Sequence, residues 1–197
     1  TGDSARRIGN EYLFQMMANQ NLETFEKYKF KKIVTQCPHC LTTLKNDYSE
    51  LGTNLEVLHH SQYISELIKD GKIKPEPWMD KDVTYHDPCY LGRHNDEYDA
   101  PRDVIQSIMR NGKLVEMEQN KKDSFCCGAG GGNMWYEIKT GERINKNRFN
   151  QAVNTNAKTV AAACNFCNIM LEDGMKVTEN DKDMEVLDIA EMVSKGL

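Results

Sequence analysis

Five cysteines in the second half of this sequence have the type and spacing to hold a soft metal: Cys89, Cys126, Cys127, Cys164 and Cys167. Thirty-six residues separate Cys89 from Cys126, and thirty-five separate Gly128 from Cys164. Three remote segments must therefore deliver their thiolates to one place. Soft thiolates select iron–sulfur clusters, zinc and copper(I). Tetrahedral zinc takes four ligands, one fewer than this set, so an iron–sulfur cluster is the better fit. The adjacent Cys126 and Cys127 point the same way, because neighbouring side chains diverge and suit a body with several irons. A disulfide between them is the structural alternative. A second pair, Cys37-Pro38-His39-Cys40, lies in the first half.

The elements that must position these groups can be read from periodicity. Residues 3–21 carry Ile8, Tyr12, Leu13, Met16 and Met17 at helical spacing, which predicts one amphipathic helix. Residues 31–35 form a short β-rich run ending at Cys37, and residues 41–48 read as helical. A second strand at 55–58 precedes a helix over 61–69, with Ser61 as N-cap. Residues 71–80, with Pro75 and Pro77, are the best linker. The theme then restarts: a strand at 82–86 leads to Cys89, a helix spans 101–110, and a strand covers 113–117. Gly130, Gly131 and Gly132 open a long helix to about residue 154, and strand 159–163 ends at Cys164. Strands alternating with helices predict an α/β fold with parallel sheets.

Laid together, the two halves repeat. Gly2 to Cys37 is 35 positions and Gly128 to Cys164 is 36, while Cys37 to Leu58 is 21 and Cys164 to Leu187 is 23. The expected architecture is two pseudo-repeated parallel-sheet units flanked by helices. Residues 1–74 would be the second half of a first unit, truncated at its N-terminus, and 82–197 a complete second unit. A first residue of Thr rather than Met suggests a fragment, with any upstream segment out of view.

Bulk properties narrow the classes. With 197 residues, 39% hydrophobic and 28% charged, the chain reads as globular. No apolar run approaches the roughly 18–20 residues of a membrane span. A net charge of −5 argues against a nucleic-acid surface. Seven cysteines, an odd number, argue against a disulfide framework and for a reduced compartment. The glycine run lacks the Lys-Ser/Thr of a phosphate loop, since Asn133-Met134 follows it.

The cysteine pattern, with the phrases His86-Asp87-Pro88-Cys89-Tyr90-Leu91-Gly92-Arg93-His94-Asn95 and Phe125-Cys126-Cys127-Gly128-Ala129-Gly130-Gly131-Gly132, is specific. It resembles the cysteine-rich CCG domain of the heterodisulfide reductase B/D family. It is most similar to the large iron–sulfur oxidoreductases that accompany electron-transfer flavoprotein. The resemblance covers essentially the whole chain. It implies that Cys89, Cys126, Cys127, Cys164 and Cys167, with Gly128 allowing close approach, bind a [4Fe–4S]-type cluster of cubane or noncubane form. It also implies that Cys37 and Cys40 supply half the ligands of a second cluster completed by upstream residues. Thr1-Gly2 falls where the other Cys-Cys-Gly should end, so Thr1 stands in place of a cysteine. The implied function is electron transfer between a flavoprotein partner, such as electron-transfer flavoprotein, and quinone or a disulfide. The implied location is cytoplasmic, at the inner face of the membrane, with membrane contact only through an upstream region or a partner.

No catalytic residue is identified. His86, Arg93 and His94 flank Cys89 and are candidates to hydrogen-bond cluster sulfur, with strand and helix capping as the alternative for His86 and Asp87. His39 reads as exposed spacing, and Trp135, Met16 and Met17 as core. Trp135 and Tyr136 also lie where an electron donor could dock. The competing reading is a zinc-stapled binding module without redox function.

Overall fold

The computed structural model describes residues 1–135, 140–180 and 182–197. Its elements run α1 (Asp3–Arg7), α2 (Glu11–Phe25), β1 (Ile33–Thr35), α3 (Pro38–Thr42), β2 (Val57–His59), α4 (His60–Lys69) and β3 (Val83–His86). They continue with α5 (Asp99–Ser107), β4 (Leu114–Val115), α6 (Ile144–Val153), β5 (Thr159–Ala162), α7 (Asn165–Val177), β6 (Glu185–Asp188) and α8 (Ile189–Ser194). β1 and β2 pair in parallel as one small sheet; a second, all-parallel sheet has the order β4-β3-β5-β6. The expected α/β class with two helix-flanked parallel sheets is what the chain adopts.

The two sheets use the same local device. β1 ends two residues before Cys37 and β5 two before Cys164, and each cysteine is the N-cap of the helix that follows. β2 and β6 end on His59 and Asp188, and both residues close capping boxes on α4 and α8. One core joins the two halves: Phe14, Leu41, Tyr48 and Val57 belong to the same buried cluster as Val83, Tyr85, Ile105 and Ile189. Burial of that apolar surface is the main force holding the sheets together. The linker expected at 71–80 is not a free tether, because Met79 is buried and Trp78 donates its indole N–H to the Met192 carbonyl at 3.0 Å.

Several sequence expectations are corrected. The helix over 3–21 is broken: Gly9 adopts φ 85°, and the Asn10 side chain accepts from Leu13 N at 3.1 Å to start α2. Its buried residues are Phe14 and Ala18, whereas Ile8, Tyr12, Met16 and Met17 are exposed, so the two methionines are not core filler. The helix after Cys40 is short and passes into a π-helical turn at Thr43–Asp47. The N-cap of α4 is His59, whose Nδ1 accepts from Ser61 N, rather than Ser61. The glycine run does not open the long helix: Gly131 and Gly132 sit at φ 65° and 80°, which a continuous helix forbids, and α6 begins at Ile144. Trp135 is exposed rather than core, and Tyr136 lies outside the described residues.

Candidate metal centre

The two Cys-x-x-Cys pairs are presented identically. Cys164 caps α7 and Cys167 sits one turn in; Cys37 and Cys40 stand in the same relation to α3. Residues three apart on a helix are neighbours, so each pair turns two thiols toward one side. Asn168 N donates to the Cys164 carbonyl at 2.9 Å and Leu41 N to that of Cys37 at 3.0 Å, closing the first turn in both copies. The positive end of the α7 dipole falls on Cys164, where negative sulfur is favoured. β3 delivers His86, and Cys89 follows three residues later.

The thiols meet. Cys167 donates to Cys127 Sγ at 3.4 Å, and Gly128 N donates to Cys126 Sγ at 3.2 Å. Cys164 lies near both Cys167 and Cys37, close enough for each to shift its titration, so the first pair is a neighbour of the second. Cys37 in turn contacts Cys40, which lies 3.6 Å from the Thr1 hydroxyl. Cys89 is not in that chain of contacts but lies within electrostatic reach of Cys127. All seven thiols are free, so the disulfide alternative for Cys126 and Cys127 is not realised.

Protons are shared unevenly across this array. Hydrogen bonds from Cys167 and Cys37 pull Cys164 down to about 5. Cys127, which accepts from Cys126 and Cys167 and has the His86 ring beside it, is held well below the ordinary thiol value. Cys37 is pushed up to about 11 by its bond to Cys164, and Cys126 and Cys167 are raised by the thiols they serve. Burial raises Cys89.

A polar frame fixes the loops that carry these cysteines. Arg102 binds Asp87 through two bonds of 2.7 and 2.9 Å and Glu116 through two of the same lengths. Asp87 also accepts from Lys121 N at 2.8 Å, and its carbonyl from Ser124 Oγ at 3.1 Å. The strand end before Cys89 is thereby tied to the loop before Cys126. Arg93 donates to the Ser124 and Lys122 carbonyls at 2.7 and 3.2 Å, so it braces that loop rather than reaching sulfur. His94 stacks on Tyr90 at 4.3 Å, and Tyr90 stacks on His39 at 3.9 Å, so both imidazoles pack on an aromatic ring. His39 is not free spacing, since its Nδ1 lies 3.0 Å from Asp3 Oδ2.

His86 is the flanking candidate that lies beside the thiols: it, Cys127 and Cys167 offer ligand atoms within 4.8 Å of one another. Its Nδ1 accepts from Arg148 Nε at 2.9 Å, and its buried Nε2 has no hydrogen-bond partner among the described residues. Arg148 is itself wholly buried, and burial brings its pKa down to about 10. Sequence reasoning missed Arg148, Arg102 and Ser124. A hydrophilic residue on a mixed helix carries no local sign that it faces inward.

An all-sulfur donor set, a buried N–H without an acceptor and a buried cation fit an anionic, sulfur-rich group. Gly128 is required by conformation: it sits at φ 96°, and a Cβ there would lie 3.2 Å from Ile144 Cβ and 3.3 Å from Asn145 N. Beside Cys37 and Cys40 opens a mostly apolar cavity of about 430 Å³, lined by Ala5, Ile8, Leu13, Met17 and Phe166. No described helix is long and apolar enough to cross a membrane.

The family model described as "CCG: Cysteine-rich domain" matches residues 1–45 and 83–172. The chain is 44% identical over 203 residues to an "EtfAB:quinone oxidoreductase" of Syntrophomonas wolfei, covering 100% of this chain and 28% of that protein. It is 43% identical over 197 residues to the "Probable iron-sulfur-binding oxidoreductase FadF" of Bacillus subtilis, with coverage of 100% and 28%. It is 38% identical over 189 residues to a subunit of the dihydromethanophenazine:CoB--CoM heterodisulfide reductase of Methanosarcina barkeri, covering 92% of this chain and 44% of that protein. The chain thus spans less than half the length of these curated relatives.

Proposed function

This chain belongs to the CCG cysteine-rich domain family, and from that premise we propose that it is an iron–sulfur electron-transfer module of an oxidoreductase. The observation that carries the reading is the convergence of thiols from remote segments, with Cys127 and Cys167 in contact at 3.4 Å and Cys164 neighbouring Cys37. Cys89, Cys126, Cys127, Cys164 and Cys167 are assigned to one [4Fe–4S]-type cluster, of cubane or noncubane form, and Cys37 and Cys40 to half the ligands of a second cluster. The units are assigned as 1–74 and 82–197. When bound, such a cluster supplies one-electron transfer at a potential set by its charge, hydrogen bonds and exposure.

The residues contribute the rest. Five thiolates hold the group; the Asp87–Arg102–Glu116 frame keeps Cys89 and Cys126 on facing loops; Gly128 lets the backbone turn closely under it. The names of the relatives support electron passage between a flavoprotein partner and quinone or a disulfide. The location assigned is the cytoplasm, at the inner membrane face.

Anaerobic purification tests this directly. The expected protein is brown, absorbs broadly near about 400 nm by thiolate-to-iron charge transfer, and contains acid-labile sulfide. Cys127→Ser should remove that signal while circular dichroism stays unchanged. A colourless protein carrying stoichiometric zinc would instead establish the zinc-stapled module. Reduction by a two-electron-reduced electron-transfer flavoprotein, followed at the cluster band, checks the partner class.

A further inference from the structure

Two arginines are buried beside this site, and they are satisfied in different ways. Arg102 has carboxylates, Asp87 and Glu116. Arg148 has only neutral acceptors: His86 Nδ1 at 2.9 Å, the Gln119 carbonyl at 2.9 Å, Gln151 Oε1 at 2.6 Å and Ser124 Oγ at 3.1 Å. A buried cation whose hydrogen-bond partners are all neutral is costly, so the charge that stabilises it must come from beyond those partners. Negative charge acts on Arg148 from Asp87, which Arg102 already engages, and then from the Cys167 and Cys127 thiols.

The contact with His86 fixes a proton. A guanidinium has donors and no acceptor, so His86 Nδ1 must accept. In a neutral ring the proton then sits on Nε2. That nitrogen is buried without a partner among the described residues, in a ring whose neighbours are the Cys127 and Cys167 thiols. A buried donor needs an acceptor, and the acceptor chemistry beside this one is sulfur. The same logic excludes His86 as a metal ligand through Nε2, since ligation needs the lone pair that the proton occupies.

We propose that Arg148 and His86 form a positioning relay for Cys127. Arg148 locks His86 as the Nε2–H tautomer, and that N–H donates to sulfur at the Cys127 position, of the ligand or of the cluster it holds. This deepens the proposed function and rests on it. The relay moves no proton and makes no covalent bond. It is a fixed dipole backed by a fixed charge, and both stabilise the more negative, one-electron-reduced state of the cluster. Neither residue touches a substrate, so both are positioning residues.

The test compares the full wild-type chain with His86→Leu and His86→Gln at equal iron and sulfide content, in an EPR-monitored redox titration with dithionite. Glutamine can accept from Arg148 and still donate to sulfur; leucine can do neither. At the wild-type midpoint, His86→Leu should show a roughly tenfold lower reduced-to-oxidised ratio, equivalent to about 59 mV for a one-electron couple. His86→Gln should keep the wild-type midpoint. An unchanged midpoint in His86→Leu overturns the proposal. A second measurement does not depend on a cluster: ¹⁵N-histidine NMR of the metal-free chain should find the His86 proton on Nε2. A proton on Nδ1 overturns the lock, even where His86→Leu fails to take up iron. A wild-type chain that binds neither iron nor sulfide, yet shows the Nε2–H tautomer, sinks the cluster reading and upholds the lock.

Discussion

Replacing Arg102 by leucine asks whether one buried cation holds together the loops that carry Cys89 and the Cys126-Cys127 pair. Its guanidinium makes two bonds to Asp87, two to Glu116 and one of 2.7 Å to the Tyr98 carbonyl. Burial opposes its charge, but hydrogen bonds to Asp87 and Glu116 outweigh that and raise its pKa above the usual value. Leucine fills much of the space. It leaves Asp87, whose side chain is 2% exposed, with the Lys121 N–H as its remaining donor among the described residues. Removing one partner of a buried pair costs about 3–5 kcal/mol. The Glu116 side chain is 35% exposed, so water replaces its partner and adds little. For a chain of this size the melting temperature should fall by roughly 6–20 °C. Calorimetry of anaerobic protein measures the fall, and iron content should drop with it as the two loops part. The double variant Arg102→Leu/Asp87→Asn no longer buries an unpaired charge and should recover about 2 kcal/mol or more. A single variant within about 1 kcal/mol of wild type, or a double variant no better than the single, refutes the frame.

Three further outcomes follow from individual residues. Burial, then the neighbouring His60, pushes His59 down to about 3 from 6.5, so its stabilising effect is complete above about pH 6.5 and lost as pH falls toward 3. At pH 5 the loss is about 2 kcal/mol, and urea titrations should show it shrinking in His59→Asn, which caps α4 without titrating. Gly174→Ala on α7 would place a Cβ 2.8 Å from the Asn145 carbonyl oxygen and 3.0 Å from Phe149 Cβ. Forcing α6 and α7 apart should cost about 1–3 kcal/mol, read from the denaturation midpoint; an unchanged midpoint would show that the helices give way freely. Gly128→Ala combines φ 96° with crowding against α6 and should lower iron content more than it lowers stability.

Much of the scaffold could be read in the sequence because the strands here are short apolar runs that end on marked residues. Val160 to Ala163 is followed at once by Cys164, and Ile33 to Thr35 by Cys37 after one residue, so strand ends and site coincide. The repeat was legible because glycine-to-cysteine offsets survive where side chains have diverged: His59 and Asp188 do the same capping work with different chemistry. The break at Gly9-Asn10 was also written there, as a left-handed glycine followed by a capping asparagine. Apolar spacing that ran through it hid the signal. The exposed face of Ile8, Tyr12 and Met16 looked like a core stripe for the same reason: periodicity locates an apolar face but not what covers it.

The proximity of Cys37 to Cys164 was not legible, and it changes how the two halves relate. Repeat logic places each Cys-x-x-Cys pair in its own unit, with its own site. In the folded chain the shared core of Phe14, Tyr48, Tyr85 and Ile189 presses the units together, and the two N-capping cysteines become neighbours. Asn95 reinforces the junction by donating to Thr42 Oγ1 at 2.7 Å and to the Tyr90 carbonyl at 2.6 Å. Arg148, whose hydrogen-bond partners are all neutral, is acted on by Asp87 and by the Cys167 and Cys127 thiols, so its charge belongs to the Cys127 side of that junction.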